Sequence, residues 1–235
     1  MIEAVIFDWG GTLTPWMSVD HLAGWRCLAD VLHADDPERA ARLSAALLAA
    51  EEARWAVVRE EHRAFTLDQV LSDATVNLGT EALDAYRAFW LPATHTDPEA
   101  VPMLTALRDR SHSLGVLSST SWPAAWHEEW LRRDGVLELL DACVWTSDLP
   151  WTKPHPSAFR AAMEAVGVTD PARCVYVGDR LHDDIAGAQG AGMRAVLVPH
   201  SDIPDIPEIQ RVPVQARPDA VIQRLSDLPD VIADW

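Results

Sequence analysis

The spacing of apolar residues divides this chain into regions of different periodicity. Near the start, four apolar residues at positions 4–7 run directly into Asp8, which predicts a strand buried on both faces. From Thr14 to about Phe89, apolar residues instead recur at steps of three and four, as they do on amphipathic helices. After Asp97, short apolar runs alternate with helical patterns. The chain is therefore predicted to carry a helical insertion within an α/β fold.

Start and stop signals divide the helical region into four helices. Pro92 closes the last of them, and Gly79 is expected to stop the third. The residues predicted to cap or start the helices are Ser18 for the first, Asp36 with Pro37 for the second, Thr66 with Gln69 for the third, and Thr80 for the fourth. Since no strand pattern lies among them, we interpret residues 15–95 as a separate four-helix cap domain.

The region after Asp97 predicts a parallel sheet. Four further strands are predicted at 114–117, 142–145, 174–177 and 195–198, with helices at 97–110, 123–133, 157–166 and 184–191. Apolar strands that alternate with helices indicate a parallel sheet with helices on both faces. We therefore predict a Rossmann-like α/β core formed by residues 1–14 and 96–235. Its Pro-rich, acidic tail, from about Pro199, is expected to end in a short strand or helix at the sheet edge.

Composition and charge narrow the class of partner. The chain has 235 residues, of which 49% are hydrophobic and 23% charged, as is usual for a soluble globular protein. Its formal net charge of −17 argues against nucleic acid or an anionic membrane as a partner. Three widely spaced cysteines indicate reduced thiols, and neither a signal peptide nor a membrane-spanning run is found. We therefore expect a cytoplasmic protein, and no oligomeric state is predicted.

The first candidate for chemistry is Asp8, at the carboxyl end of the first predicted strand. Ligands bind at that end of the strands in open α/β sheets. Gly10 and Gly11 follow and permit close backbone approach, so that nearby amides can point at an anion, and Thr12 adds a hydroxyl. The turn therefore predicts an anion site beside a carboxylate, although a solvated aspartate before an ordinary tight turn gives the same pattern.

Polar residues also follow three later strands. Ser118 and Ser119 end the second strand, where hydroxyls and free amides can hold a phosphate oxygen. Lys153, the single lysine among 19 lysine and arginine residues, follows the third strand and can neutralise both a carboxylate and a phosphate. The fourth strand ends at Asp179, with further acids four and five residues on. Such carboxylates suit a hard divalent cation such as Mg²⁺.

The ordered set of Asp8, Ser118, Lys153 and Asp179 resembles the haloacid dehalogenase-like hydrolase superfamily, over essentially the whole chain. The resemblance implies a hydrolase of a small phosphorylated compound, in which Asp8 attacks phosphorus and forms an aspartyl-phosphate that water then hydrolyses. It also implies that Mg²⁺ is held by Asp8, the carbonyl of Gly10 and Asp179.

The resemblance assigns roles to individual residues. The implied catalytic residues are Asp8, Ser118 and Lys153; the implied substrate-binding residues are Gly11, Thr12, Ser118, Ser119 and Lys153; the implied metal ligands are Asp8, Gly10, Asp179 and Asp184. Asp184 is preferred to Asp183 for the second acidic position because it directly precedes an Ile-Ala-Gly-Ala segment that is similar to the family's.

One position departs from the family's pattern. Its phosphatases usually carry a second aspartate two residues after the nucleophile, which protonates the leaving group and then activates water, but here Gly10 stands at that place. A general acid/base contributes about 10²–10⁴-fold, so turnover of alkyl phosphates is in doubt. Either another residue replaces the acid, with Asp20, His21 and His182 as candidates, or the substrate has a good leaving group, as in an acyl or aryl phosphate.

Other functions on the same fold fit less well. Phosphonate cleavage in the superfamily uses a cap lysine, and residues 15–95 contain none. Dehalogenation proceeds without metal and with an aromatic residue at the place of Gly10, whereas this chain has a full acidic motif. The alternative that stays open is a non-catalytic phospho-ligand-binding or interaction protein.

Overall fold

The apolar runs predicted as strands form one parallel sheet in the computed structural model, which describes residues 1–77, 79–199 and 216–235. The strands are β1 (Ala4–Phe7), β2 (Ser113–Ser118), β3 (Ala142–Trp145), β4 (Cys174–Gly178), β5 (Arg194–Leu197) and β6 (Ala220–Val221). Their order across the sheet is β3-β2-β1-β4-β5-β6. β1 lies between β2 and β4, with Phe7 opposite Val116 and Val177. All residues of β1 and β4 are buried, which explains their uninterrupted apolar patterns.

Four helices follow β1 in the region predicted to be a helical insertion. They are α1 (His21–Leu32), α2 (Pro37–Glu61), α3 (Leu67–Asp73) and α4 (Thr80–Trp90). Their apolar faces share a hydrophobic core that includes Trp25, Leu28 and Tyr86, and the rings of Trp25 and Tyr86 stack 4.3 Å apart. This core is a distinct cluster from the two that cover the sheet, although Trp122 and Trp126 pack against both it and one of them. Burial of their own apolar surface therefore holds the four helices together.

The later helices cover both faces of the sheet. They are α5 (Ala100–Asp109), α6 (Ala124–Arg133), α7 (Pro156–Ala165), α8 (Gly187–Gly190) and α9 (Leu228–Val231). Val5 and Phe7 pack with α5, α6 and α9 on one face, whereas Ala4 and Ile6 pack with α7 and α8 on the other. Successive residues of a strand point to opposite faces, so β1 contributes to both cores. The predicted α/β, Rossmann-like fold with helices on both faces is confirmed.

The predicted helix starts are correct at α2, α3 and α4 but not at α1. Thr66 and Gln69 form the reciprocal capping box of α3, and Asp36 caps α2 by accepting from a backbone amide three residues on, at 2.9 Å. α1 is capped by Asp20 in the same way, at 3.1 Å. Asp20 replaces the predicted Ser18 because it directly precedes the first helical residue.

α3 ends earlier than the sequence predicts. Its last residue is Asp73, and Thr75 adopts a left-handed φ of 58°. The amide of Val76 then donates to the carbonyl of Leu71 at 2.9 Å. This closure ends the helix well before Gly79, and Gly79 instead caps the start of α4.

The helix predicted at 184–191 begins three residues earlier, as a π-helical turn at Leu181–Ala186 that leads into α8. The tail places β6 beside β5 at the sheet edge and α9 against α5. The predicted edge element is therefore present both as a strand and as a helix, while residues 200–215 of the tail lie outside the described residues. Among the helices in the described ranges, none is both long and apolar enough to cross a membrane.

A buried carboxylate lies within the core of the helical insertion. Glu51 on α2 is 6% exposed, and its Oε2 accepts from Trp25 Nε1 at 2.8 Å. His21 Nδ1 lies 3.5 Å from the same oxygen. The hydrogen bond to Glu51 raises the pKa of His21 above its usual 6.5, against the opposing effect of burial. Protonated His21 therefore compensates the charge of Glu51.

The His21–Glu51 pair predicts a pH-dependent stability. A histidine whose folded pKa is raised contributes stability that is fully present below its unfolded pKa of about 6.5 and is lost as the pH rises through the folded value. We expect His21→Gln to flatten the pH dependence of the unfolding free energy between about pH 6 and 8, measured by urea denaturation. The exposed His95→Gln serves as control, and an unchanged pH profile in His21→Gln would contradict the prediction.

Candidate active site

Asp8 follows β1 at the carboxyl edge of the sheet and is 5% exposed. Its amide continues the strand pairing by donating to the carbonyl of Val177 at 2.9 Å. Its Oδ1 accepts from the Trp9 amide at 2.7 Å, the Ser118 hydroxyl at 2.7 Å and Lys153 Nζ at 3.0 Å. All three contacts go to Oδ1, and Oδ2 receives none of them.

Lys153 lies at the centre of the site. It is 3% exposed, and its Nζ donates to Asp184 Oδ1 at 2.7 Å and to the hydroxyl of Tyr176 at 2.9 Å. Burial by itself lowers the pKa of Lys153, but the charges of Asp184 and Asp8 outweigh that effect and raise it above its usual value. The ammonium group is therefore a permanent positive charge beside Asp8.

Tyr176 is a site residue that the sequence reasoning missed. Its hydroxyl donates to the carbonyl of Leu117 at 2.7 Å while it accepts from Lys153. Burial raises the pKa of Tyr176 well above its usual value, as do the charges of Asp184 and Asp8. The sequence does contain a signal for Tyr176, because a tyrosine in a strand predicted to be buried on both faces needs a partner for its hydroxyl.

Three carboxylates gather next to Lys153. One oxygen each from Asp8, Asp179 and Asp184 lies within 4.8 Å of the others. Both oxygens of Asp179 are buried with no hydrogen-bond partner among the described residues. Burial, together with the charges of Asp184 and Asp8, raises the pKa of Asp179 well above its usual range. An oxygen-rich, negatively charged group with an unpartnered carboxylate fits a hard divalent cation.

The structure brings Asp184 rather than Asp183 into this cluster. Asp184 is fully buried, and its Oδ2 accepts from the Arg180 amide at 2.8 Å. Asp183 instead lies 3.0 Å from His182 Nδ1 and 3.6 Å from Nη1 of Arg180. The π-helical turn directs the two neighbouring side chains to different partners.

The two glycines after Asp8 have different surroundings. Gly11 has a φ of 89°, and a Cβ placed on it would lie 2.4 Å from Oδ2 of Asp179, whereas a Cβ on Gly10 would meet no atom within 4 Å. The Gly11 amide donates to the carbonyl of Thr14 at 2.8 Å, so this amide closes the turn and does not point at an anion as expected. Thr12 is buried, and its hydroxyl has no partner among the described residues.

Ser119 lies between the β2 loop and the lysine loop. Its hydroxyl pairs with the hydroxyl of Thr152 at 2.7 Å, and Thr152 immediately precedes Lys153. The next residue, Thr120, is fixed by the hydroxyl of Thr146, which accepts from its amide at 3.0 Å. The structure thus joins Ser118 and Lys153 directly through Asp8, and Ser119 through Thr152.

Comparison with known proteins agrees with this arrangement. A sequence profile for haloacid dehalogenase-like hydrolases matches residues 2–192. The chain belongs to that family. A glyceraldehyde 3-phosphate phosphatase of Methanopyrus kandleri is 30% identical, with 100% of this chain and 98% of the relative covered. The prediction of a phosphatase-like hydrolase of this superfamily is confirmed.

Solved structures of haloacid dehalogenase-like hydrolases share the fold. A phosphatase from Thermococcus onnurineus superposes with a TM-score of 0.64 at 23% identity, covering 98% of this chain and 97% of that one. A 2-haloacid dehalogenase from Pseudomonas syringae gives a TM-score of 0.66 at 27% identity, with 100% of both chains covered. The superfamily fold therefore accommodates both types of named enzyme.

The three candidates for the missing acid of this haloacid dehalogenase-like hydrolase each have a structural partner. Asp20 caps α1, His21 pairs with Glu51, and His182 pairs with Asp183, which raises the pKa of His182. A cavity of about 580 Å³ is lined by residues that include Arg54. None of the predicted site residues is among its lining residues. Nothing in the described residues thus supplies an evident substitute for an acid at Gly10.

Proposed function

We propose that this haloacid dehalogenase-like hydrolase is a Mg²⁺-dependent phosphatase of a small phosphorylated compound. The observation that carries the proposal is the buried carboxylate of Asp179, which lies beside Asp8 and Asp184 and has no partner among the described residues. A buried, unpaired charge is costly, and a divalent cation would compensate it. The name of the Methanopyrus kandleri relative supports a phosphate ester as substrate, and the net charge of −17 disfavours nucleic acid or a membrane surface.

The side chains around Asp8 are suited to nucleophilic displacement at phosphorus. Oδ2 of Asp8 attacks the phosphorus, and the leaving-group oxygen departs with the bonding electron pair, which leaves an aspartyl-phosphate. Lys153 and Ser118, both in contact with Asp8, hold the phosphoryl oxygens and stabilise the charge that develops there. Ser119 is joined to the loop of Lys153 through Thr152. Water then attacks the phosphorus, which releases inorganic phosphate and restores the carboxylate.

Asp8, Asp179 and the carbonyl of Gly10 are the groups that would hold Mg²⁺, and Asp184 completes its acidic surroundings. When bound, the ion neutralises these carboxylates and polarises the phosphoryl group. Asp184 also accepts from Lys153 Nζ at 2.7 Å. It thereby fixes the ammonium group in position to meet the phosphoryl oxygens.

We also propose that residues 15–95 form a cap over the carboxyl edge of the sheet. The insertion is joined by backbone hydrogen bonds to the loops that carry Lys153 and Ser118. These bonds run from the Thr152 amide to the His62 carbonyl at 2.9 Å, from the Ala64 amide to the Pro150 carbonyl at 3.2 Å, and from the Leu67 amide to the Ser121 carbonyl at 2.7 Å. A cap attached at these points can exclude water and select the substrate.

Hydrolytic dehalogenation is the competing reaction, because the Pseudomonas syringae neighbour carries that name. The acidic cluster favours the phosphatase. The three carboxylates of Asp8, Asp179 and Asp184 outnumber the one ammonium group of Lys153 beside them. They repel an anionic substrate unless a further cation lies among them, and phosphoryl oxygens are ligands that Mg²⁺ accepts. The comparisons give no support to the non-catalytic phospho-ligand-binding alternative.

Mg²⁺ is expected to raise the midpoint of thermal unfolding, by roughly 5–10 °C at a concentration about 100-fold above its Kd. Asp179→Asn should abolish that shift. It should also stabilise the metal-free protein, because burial beside Asp184 and Asp8 makes the charged form of the carboxyl group unfavourable, and the amide has no charged form. Hydrolysis of 4-nitrophenyl phosphate should require Mg²⁺ and stop when the metal is chelated.

The exposed Asp109→Asn on α5 is the control for the loss of one carboxylate. If Mg²⁺ shifts neither the unfolding midpoint nor the hydrolysis rate, the metal assignment is wrong. If Mg²⁺ binds but no activated phosphate is hydrolysed, the non-catalytic alternative is favoured.

A further inference from the structure

Gly10 borders open space next to the nucleophile. A Cβ on Gly10 would have no atom within 4 Å, whereas a Cβ on Gly11 would meet Asp179. Gly11 is therefore packed on the acidic cluster, whereas Gly10 faces free volume. An acid at position 10 would occupy that volume, and here a part of the substrate can do so.

Arg180 contacts the loop that follows Asp8 and carries Gly10. It directly follows Asp179, and its Cζ is 5.7 Å from the centre of the Trp16 ring. Trp16 belongs to the loop that begins at Gly10. It lies two residues after Thr14, which forms an isolated bridge with Gly10. The loop that follows Asp8 and the loop that carries Asp179 are thus joined by an arginine stacked on an indole, an arrangement that orients the guanidinium.

The guanidinium of Arg180 has N–H groups that can donate to a ligand. Its contact with Asp183 is long, at 3.6 Å, and its side chain is 34% exposed. Burial opposes its charge, but Asp179, Asp183 and Asp184 outweigh that effect and raise the pKa of Arg180, and Asp8 adds to it. The group therefore carries a permanent charge within electrostatic reach of the nucleophile. Trp16 Nε1 adds a buried donor that has no partner among the described residues.

From these contacts we infer that Arg180, held by Trp16, contacts the leaving group and stabilises the negative charge that develops on its oxygen, in place of the proton that an acid at position 10 would donate. Phosphates whose leaving group departs as a stable anion suit such a site, namely acyl phosphates and phosphoanhydrides. This inference rests on the proposed phosphatase function and adds the substrate class to it.

The step is balanced without a proton donor. Oδ2 of Asp8 forms a bond to phosphorus while the bond from phosphorus to the leaving oxygen breaks, and the electron pair stays on that oxygen. A carboxylate or a phosphate departs readily in this form, whereas an alkoxide does not. The planar guanidinium of Arg180 can donate two parallel hydrogen bonds to either anion. The water that later cleaves the aspartyl-phosphate loses its proton to solvent.

A series of aryl phosphates of increasing leaving-group pKa tests the role of Arg180 with Mg²⁺ present. The probe is the single-turnover rate of phenol release, which reports cleavage of the bond between phosphorus and oxygen. Arg180→Gln should lower this rate by about 10²-fold for phenyl phosphate and by much less for 2,4-dinitrophenyl phosphate, because the hydrogen bond to the leaving oxygen strengthens as that oxygen becomes more basic. Arg180→Lys, which keeps the charge, should recover part of the loss.

Acetyl phosphate represents the acyl phosphates, and pyrophosphate represents the phosphoanhydrides. The wild type should cleave each of them faster than glycerol phosphate. The exposed Arg160→Gln on α7 is the control for the loss of one arginine. If Arg180→Gln lowers the single-turnover rate equally for all aryl phosphates, or does not lower it, the inference is overturned. Arg180 then has only a structural role in its contact with Trp16. Failure of the wild type to cleave any activated phosphate would instead overturn the proposed function itself.

Discussion

Replacement of Asp8 by asparagine is expected to lower the turnover of 4-nitrophenyl phosphate by about 10⁴-fold or more, the scale on which loss of a covalent nucleophile acts. The amide is a poor nucleophile at phosphorus, and no other described carboxylate makes the same contacts with Ser118 and Lys153. The fold should survive, since the amide oxygen can still accept from Ser118 and the Trp9 amide. Steady-state kinetics and thermal unfolding of the variant check both statements.

Detection of the intermediate separates this role from a structural one. When the wild type is quenched with acid during turnover, the peptide that contains Asp8 should gain the mass of one phosphoryl group, and in Asp8→Asn it should not. Asp109→Asn, exposed on α5, should behave as the wild type. Retention of most of the activity by Asp8→Asn would show that the reaction does not pass through this carboxylate.

The central part of the fold could be predicted because its sequence signals are local. The apolar run of β1 ends at Asp8, and burial on both sides by β2 and β4 is what makes such a run uniform. The same reasoning placed Ser118, Lys153 and Asp179 at one edge, since parallel strands end on the same side of a sheet. The structure indeed brings Ser118 and Lys153 onto one oxygen of Asp8.

Contacts between distant elements could not be predicted in this way. The lysine loop and β4 are far apart in sequence, so nothing in the pattern around Lys153 indicates that its Nζ bonds the hydroxyl of Tyr176. The helix signals around Gly79 were misread for a different reason, which is local. A left-handed residue at Thr75 ended α3 first, and threonine is not a residue that usually marks such a position.

Restoring an acid at position 10 is the second large effect that we expect. Gly10→Asp should raise kcat/KM for alkyl phosphates by about 10²–10⁴-fold and for 4-nitrophenyl phosphate much less, because the nitrophenolate departs without a proton. The substitution should be tolerated, since Gly10 has no positive φ and a Cβ there meets no atom within 4 Å. The acids already present at the site favour the protonated form of the new carboxyl group, which is the form that donates.

In this variant, comparison of kcat/KM with kcat separates formation of the aspartyl-phosphate from its hydrolysis. The value of kcat/KM covers the steps up to cleavage of the substrate, where only poor leaving groups need a proton. Hydrolysis of the aspartyl-phosphate on Asp8 is common to all substrates, and without a base at Gly10 it should be slow enough to give a burst of released nitrophenolate in the wild type. Gly10→Asp should remove that burst, whereas Gly10→Ala should keep it. An equal gain in kcat/KM for alkyl and aryl phosphates would show that the new carboxylate acts on binding rather than on the leaving group.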